Sequence, residues 1–204
     1  MTRAALAVLV ALAVAGTACT IAPPPEGAAT PAVADSLPPP GFGTLRQEEI
    51  SMTLQNQDLQ IMVTPLAESV ILVTAPDTYE RLRRIADQHR GSLPTSSVLF
   101  LVSFYTQQAE VRFVPEEVQI LSRGLRVRPR AIEPVTPTWG QRRVRQRATQ
   151  MAVYAFTQDV DLGSELTLAY GLAQGGNWAG VLSRVQAELA RARARAGIGD
   201  SRRR

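Results

Sequence analysis

Few side chains in this sequence could serve as a nucleophile, a metal ligand or a general base. Cys19 is the only cysteine and His89 the only histidine. A lone cysteine forms no intramolecular disulfide, and one cysteine with one histidine is too few for a Cys/His zinc set. His89 falls in the last turn of a predicted helix. An imidazole there could act as a base or a ligand. No Ser, Asp or Cys pattern nearby supplies a catalytic partner, and a helix C-terminus favours an imidazolium without any function. Asp159 and Asp161 stand two apart, with Glu165 close behind. Such carboxylates can chelate calcium beside backbone oxygens, but the full oxygen set is not visible here. Glu116 and Glu117 are adjacent, so on a strand they diverge and make a poor acid–base pair. Gly-x-Ser-x-Gly, His-Glu-x-x-His and a phosphate-binding glycine loop are all missing from the sequence. Gly175-Gly176 reads as a turn before a helix. The expectation is a protein that is not an enzyme, with no cofactor and no metal site.

Charge is the stronger signal. All 22 basic residues are arginine, and the formal net charge is +4. Arg191, Arg193, Arg195, Arg202, Arg203 and Arg204 crowd the C-terminus. Arg123, Arg126, Arg128, Arg130, Arg142, Arg143, Arg145 and Arg147 form a second group. Clusters like these bind phosphate-bearing polymers or anionic lipid head groups, or simply form a solvated face. Arg142, Arg143, Arg145 and Arg147 are the candidate anion-binding residues. No nucleic-acid partner is expected.

Cys19 gains meaning from its neighbours. Residues 1–3 are a short positive segment, and 4–15 are an unbroken run of Ala, Leu and Val. That run is too short to cross a ~30 Å hydrocarbon core, which needs about 20 residues. It fits the apolar region of a secretory signal peptide. The small residues Ala15, Gly16, Thr17 and Ala18 then lead to Cys19. This stretch resembles the lipobox of bacterial lipoproteins. Ala18 and Cys19 match the last two positions, Thr17 is acceptable, and Gly16 departs from the usual leucine. The departure leaves room for ordinary cleavage after Ala13-Val14-Ala15. The resemblance implies removal of 1–18, diacylglycerol on the Cys19 sulfur, and anchorage in a lipid bilayer. Two or three acyl chains hold a protein stably, at ~0.8 kcal/mol per buried methylene. Residues 19–44 follow as a tether, with Pro23–Pro25, Pro31 and Pro38–Pro40. Proline-rich segments are semi-rigid spacers rising about 3.1 Å per residue.

From Leu45 the pattern becomes that of a folded domain. Ile50, Met52 and Leu54 alternate with polar residues, as do Leu59, Ile61 and Val63, which predicts a hairpin. The β-branched run 70–73 reads as a third strand. Thr74, Pro76 and Asp77 read as a helix start, followed by the stripe Tyr79, Leu82, Ile85 and Ala86, with an end before Gly91. Residues 98–105 are apolar on both faces and predict a central strand. Short strand-like pieces follow at 110–114, 117–121, 125–128, 131–133, 151–156 and 166–170. Aromatics make up only 5% of the chain, so a mostly aliphatic core is expected. Frequent short strands with turn signals predict an antiparallel β-sandwich or barrel.

Phe113-Val114-Pro115, then Val118-Gln119-Ile120, Gly124 and the closing pair 151–156 and 166–170 resemble the immunoglobulin-like domains of bacterial surface lipoproteins. The resemblance covers about 98–171 and implies an immunoglobulin-like sandwich. After it, Asn177 can cap a helix whose stripe is Trp178, Val181, Leu182, Val185 and Leu189.

The expected plan is therefore mainly β with flanking helices. Residues 1–18 are a signal peptide and 19–44 a lipidated cysteine with its tether. Residues 45–196 are one β-rich domain, with the sandwich core at about 98–171, one short helix before it and an amphipathic helix at 177–196. Residues 197–204 are a basic, disordered tail. The expected role is a non-catalytic envelope lipoprotein, anchored in the outer membrane facing the periplasm or at the cell surface. Its partner is another envelope protein or, as the alternative, an anionic polymer or lipid head group held by the Arg-rich segment 123–147.

Overall fold

The computed structural model describes residues 37–201. The expected signal peptide, Cys19, most of the expected tether and residues 202–204 lie outside the described residues.

Among the described residues, eleven strands and three α-helices follow in chain order. They are β1 (Met52–Asn56), β2 (Leu59–Pro65), α1 (Glu68–Ile71), α2 (Pro76–Arg90), β3 (Val98–Thr106), β4 (Glu110–Arg112), β5 (Val118–Ser122), β6 (Leu125–Val127), β7 (Ala131–Pro134), β8 (Arg143–Arg145), β9 (Thr149–Phe156), β10 (Leu166–Tyr170), β11 (Ala173–Gly175) and α3 (Trp178–Ser201). The chain is thus mainly β, with a C-terminal helix. The strands form a five-stranded sheet ordered β1-β2-β3-β9-β7, a four-stranded sheet ordered β11-β10-β5-β6, and a two-stranded β4-β8 ribbon. Every strand pair is antiparallel.

Register explains how the sheets share a core. Residues paired across a ladder project from the same face. Phe100, Val102 and Phe104 of β3 pair with Tyr154, Ala152 and Gln150 of β9, and with Pro65, Val63 and Ile61 of β2. Leu168 and Tyr170 of β10 pair with Ile120 and Val118 of β5. The Phe104 and Tyr170 rings meet at 5.9 Å, joining the two sheets. Phe100, Phe113, Trp139, Tyr154 and Phe156 extend this contact into one aromatic cluster. Apart from Tyr79 and Trp178 the rest of the core is aliphatic, as the composition predicts, and the other seven buried rings converge on one place. On the other face of the five-stranded sheet, α2 contacts β9 and buries Tyr79, Leu82 and Ala86.

Several expectations change. The run 70–73 is no strand: α1 and a turn occupy it, and all four residues are buried. A short apolar run carries no periodicity that separates a strand from a buried turn. Thr74 does not cap α2, because its hydroxyl donates to the Ile71 carbonyl at 2.6 Å; Ala75 holds the cap position and Pro76 opens the helix. The antiparallel sheets reach beyond 98–171, since β1 and β2 continue one sheet from β3 and β11 continues the other from β10. Asn177 does cap α3, its Oδ1 accepting from the Gly180 N–H at 2.8 Å. The helix then runs past Gly197 to Ser201, beyond the predicted end at 196. A glycine costs a helix about 1 kcal/mol, which is not enough to stop one by itself.

Candidate functional site

The β4-β8 ribbon carries the predicted arginines. It has two faces of opposite character. Val111 pairs with Val144, which is fully buried. The neighbouring pairs are Glu110 with Arg145 and Arg112 with Arg143, so one carboxylate and three guanidiniums share the outward face. Glu110 is committed diagonally, with its Oε1 2.6 Å from Arg143 Nη1. Arg145 has no carboxylate partner among the described residues.

Two further arginines flank the ribbon. Arg142 lies just before β8 and pairs with Glu116 at 2.7 Å. Arg147 lies just after β8 and has no ion pair among the described residues. Both hold left-handed backbone, with φ of 54° at Arg142 and 56° at Arg147. Arg123, also at φ 50°, is the third arginine among the non-glycine residues with positive φ. That conformation costs a side-chain-bearing residue about 1–2 kcal/mol and favours glycine or asparagine.

The mid-chain group does not form one patch on one element. Arg123 lies in the β5-β6 turn and is ion-paired with Asp161. Arg126 lies on β6 and reaches Gln119 Oε1 at 3.4 Å. Arg128 and Arg130 lie in the link to β7. Only Arg142, Arg143, Arg145 and Arg147 belong to the ribbon and its two ends.

The other candidates are occupied locally. Asp161 accepts from the Gly163 N–H at 2.8 Å and pairs with Arg123. The Gly163 hydrogen bond, with help from Arg123, holds its carboxyl below the usual range. Asp159 Oδ2 accepts from Thr157 Oγ1 at 2.7 Å. Glu116 serves Arg142, and His89 lies half-buried in the last turn of α2. Among the described residues, no group of His, Cys, Asp and Glu converges as a metal site. No helix among them is long and apolar enough to cross a membrane.

A second constellation escaped the sequence reading. Residues 42–45 are fastened where the folded body begins. Leu45 N–H donates to the Val73 carbonyl at 3.1 Å, and Ala75 N–H to the Leu45 carbonyl at 2.9 Å. Thr44 Oγ1 donates to Glu188 Oε1 at 2.8 Å, and Arg195 donates to the Phe42 carbonyl. Glu188 is 1% exposed and also holds Arg195 at 2.8 Å and Arg191 at 3.4 Å. Burial pushes its carboxyl up, but the Arg195 and Thr44 hydrogen bonds outweigh burial, and the carboxyl lies below its ordinary value. Gly43 is required by close approach: a Cβ there would come within 2.2 Å of the Val73 carbonyl carbon. One signal was available. Glu188 is three residues beyond Val185 and seven beyond Val181, on the apolar side of α3. A carboxylate at that spacing needs a partner.

No family model, curated protein or solved structure matches this chain.

Proposed function

We propose that the chain is a non-catalytic envelope lipoprotein, anchored to a bilayer through acylated Cys19, that presents its β-rich domain to a partner in the envelope. The fastening of residues 42–45 carries this reading on the structural side. A domain held at a membrane transmits every tug through the residues where its tether meets the folded body. Here those residues are joined to α3 and to the 73–75 loop by four hydrogen bonds and by a glycine that fits nothing larger. Metabolic labelling with a fatty-acid probe tests the anchor. The wild type takes up label and Cys19→Ala does not; a wild type without label sinks the proposal.

The finer fold assignment, an immunoglobulin-like sandwich, is supported by strand order. β2, β3, β9 and β7 lie in the order A, B, E and D of that fold, and β11, β10, β5 and β6 in the order G, F, C and C′. β1, the β4-β8 ribbon and the helices are then additions to it.

The ribbon favours a second reading, binding of an anionic envelope polymer or lipid head group. Three arginines against one glutamate on one face, with strained Arg147 beside them, form a cationic stripe. Changing Arg142, Arg143, Arg145 and Arg147 to Gln should abolish salt-dependent retention on an immobilised polyanion. Retention that survives this change, or ignores salt, rejects the ribbon as the site.

A further inference from the structure

A cleft of ≈ 330 Å³ opens where the β1-β2 turn lies beside the β3-β4 turn. Gln55, Gln57 and Gln60 line one side, Gln107 and Gln108 the other, with Tyr105 between them. Asp58 is the only charged residue in its wall, although the chain holds 22 basic residues.

The cleft is built on fixed backbone. Thr106 Oγ1 donates to the Asp58 carbonyl at 2.7 Å and accepts from the Gln108 N–H at 3.0 Å, tying the two turns together. Gln146 Nε2 donates to the Gln107 carbonyl at 3.0 Å. Gln57 holds left-handed backbone at φ 50°. On this frame the side-chain amides of Gln57, Gln60, Gln107 and Gln108 have no partner among the described residues.

Tyr105 differs from the chain's other tyrosines in the same way. Tyr79 donates to Glu68, Tyr154 donates to the Pro115 carbonyl, and Tyr170 accepts from the Val114 N–H. The Tyr105 hydroxyl has no hydrogen bond, and its ring meets no other aromatic ring among the described residues. It is half-buried, and its backbone is held in β3.

These features share one chemistry. A carboxamide offers donors and an acceptor together, as a sugar hydroxyl does. The negative face of an aromatic ring suits the C–H face of a pyranose. A wall without a cation gives nothing to a phosphate or carboxylate. We infer that this cleft binds a neutral glycan, with Tyr105 as the stacking platform and the glutamine amides reading the hydroxyls. A second hollow of ≈ 360 Å³ shares Gln60 and Tyr105 and continues over the sheet past Met62, Ser103 and Met151. That continuity provides for an oligosaccharide rather than one sugar. The cleft's lining residues are not those of the arginine ribbon, although the Arg147 N–H donates to the Thr106 carbonyl at 2.8 Å, and its predicted response to salt differs.

Isothermal titration of the full chain in detergent, with hexa-N-acetylchitohexaose and with maltohexaose, tests the inference. At least one of the two saturates the protein, and raising NaCl to about 0.5 M leaves its affinity within about twofold, because no ion pair is involved. Tyr105→Ala weakens binding by about tenfold or more, and Tyr105→Phe stays within about threefold. The paired change Gln107→Ala with Gln108→Ala, at two exposed turn positions, weakens binding comparably and serves if Tyr105→Ala fails to fold. The inference is overturned if neither sugar binds. It is also overturned if binding ignores both changes, or if it collapses in salt.

Discussion

Glu188 and Glu110 each hold an arginine, yet they do different work. Glu188 is buried in the body of the protein, takes hydrogen bonds from Thr44, Arg191 and Arg195, and fastens the first residues of the domain to α3. Glu110 lies about half exposed on the ribbon and holds Arg143 on an equally exposed face. Water competes for the second pair and is excluded from the first carboxylate. Exposed ion pairs contribute about 0.2–1 kcal/mol. A hydrogen bond to a buried charged group contributes about 1.5–3 kcal/mol. The same residue types therefore build a clamp in one region and a loosely committed, water-exposed pair in the other.

The comparison breaks most sharply at Gly43. Gly43→Ala drives a Cβ into Val73 backbone atoms at 2.2 and 2.3 Å, and backbone cannot step aside as a side chain can. The expected loss is about 3 kcal/mol, read from the denaturant midpoint. A loss below about 1 kcal/mol would mean that residues 42–45 lift away without consequence.

Glu188→Ala comes next, at about 2 kcal/mol. Its pH dependence sharpens the result. The folded carboxyl titrates below its ordinary value of 4.5, so its contribution is complete above that pH and is lost as pH falls through the folded value. The gap between wild type and variant should therefore narrow on acidification. A gap that stays constant from neutral to acid pH contradicts the charged clamp.

The ribbon gives the smallest effects and one of opposite sign. Arg143→Gln costs about 0.5 kcal/mol and the loss shrinks in salt. Arg147→Gly gains about 0.5 kcal/mol, since relief of left-handed strain exceeds the added unfolded-state entropy of glycine. Its melting temperature rises while retention on a polyanion falls. A residue kept only for stability cannot give that pair of results.

Much of the fold could be read from the residues. Alternation at 52–54 and 59–63 placed the first hairpin, two-faced apolarity at 98–105 placed the central strand, and Asn177 opened the last helix. Those signals are local and periodic. Residues 70–73 failed because burial on all sides leaves no period to read. The site was legible only as charge. Four arginines at 142–147 stood out in the sequence, but their division into paired and unpaired, and the strain at 142 and 147, depend on strand pairing and turn conformation.

The sequence by itself determined most of the element types, the surplus of arginine, and the lone cysteine between an apolar run and a proline-rich stretch. Tertiary structure alone decided which distant residues meet. Thr44 finds Glu188 across 144 positions, and Thr106 finds Asp58 across 48. No local preference encodes such pairs. They form when the sheets and α3 close on a common core and leave a buried carboxylate, a committed hydroxyl or an unspent amide beside whatever the fold brings to it.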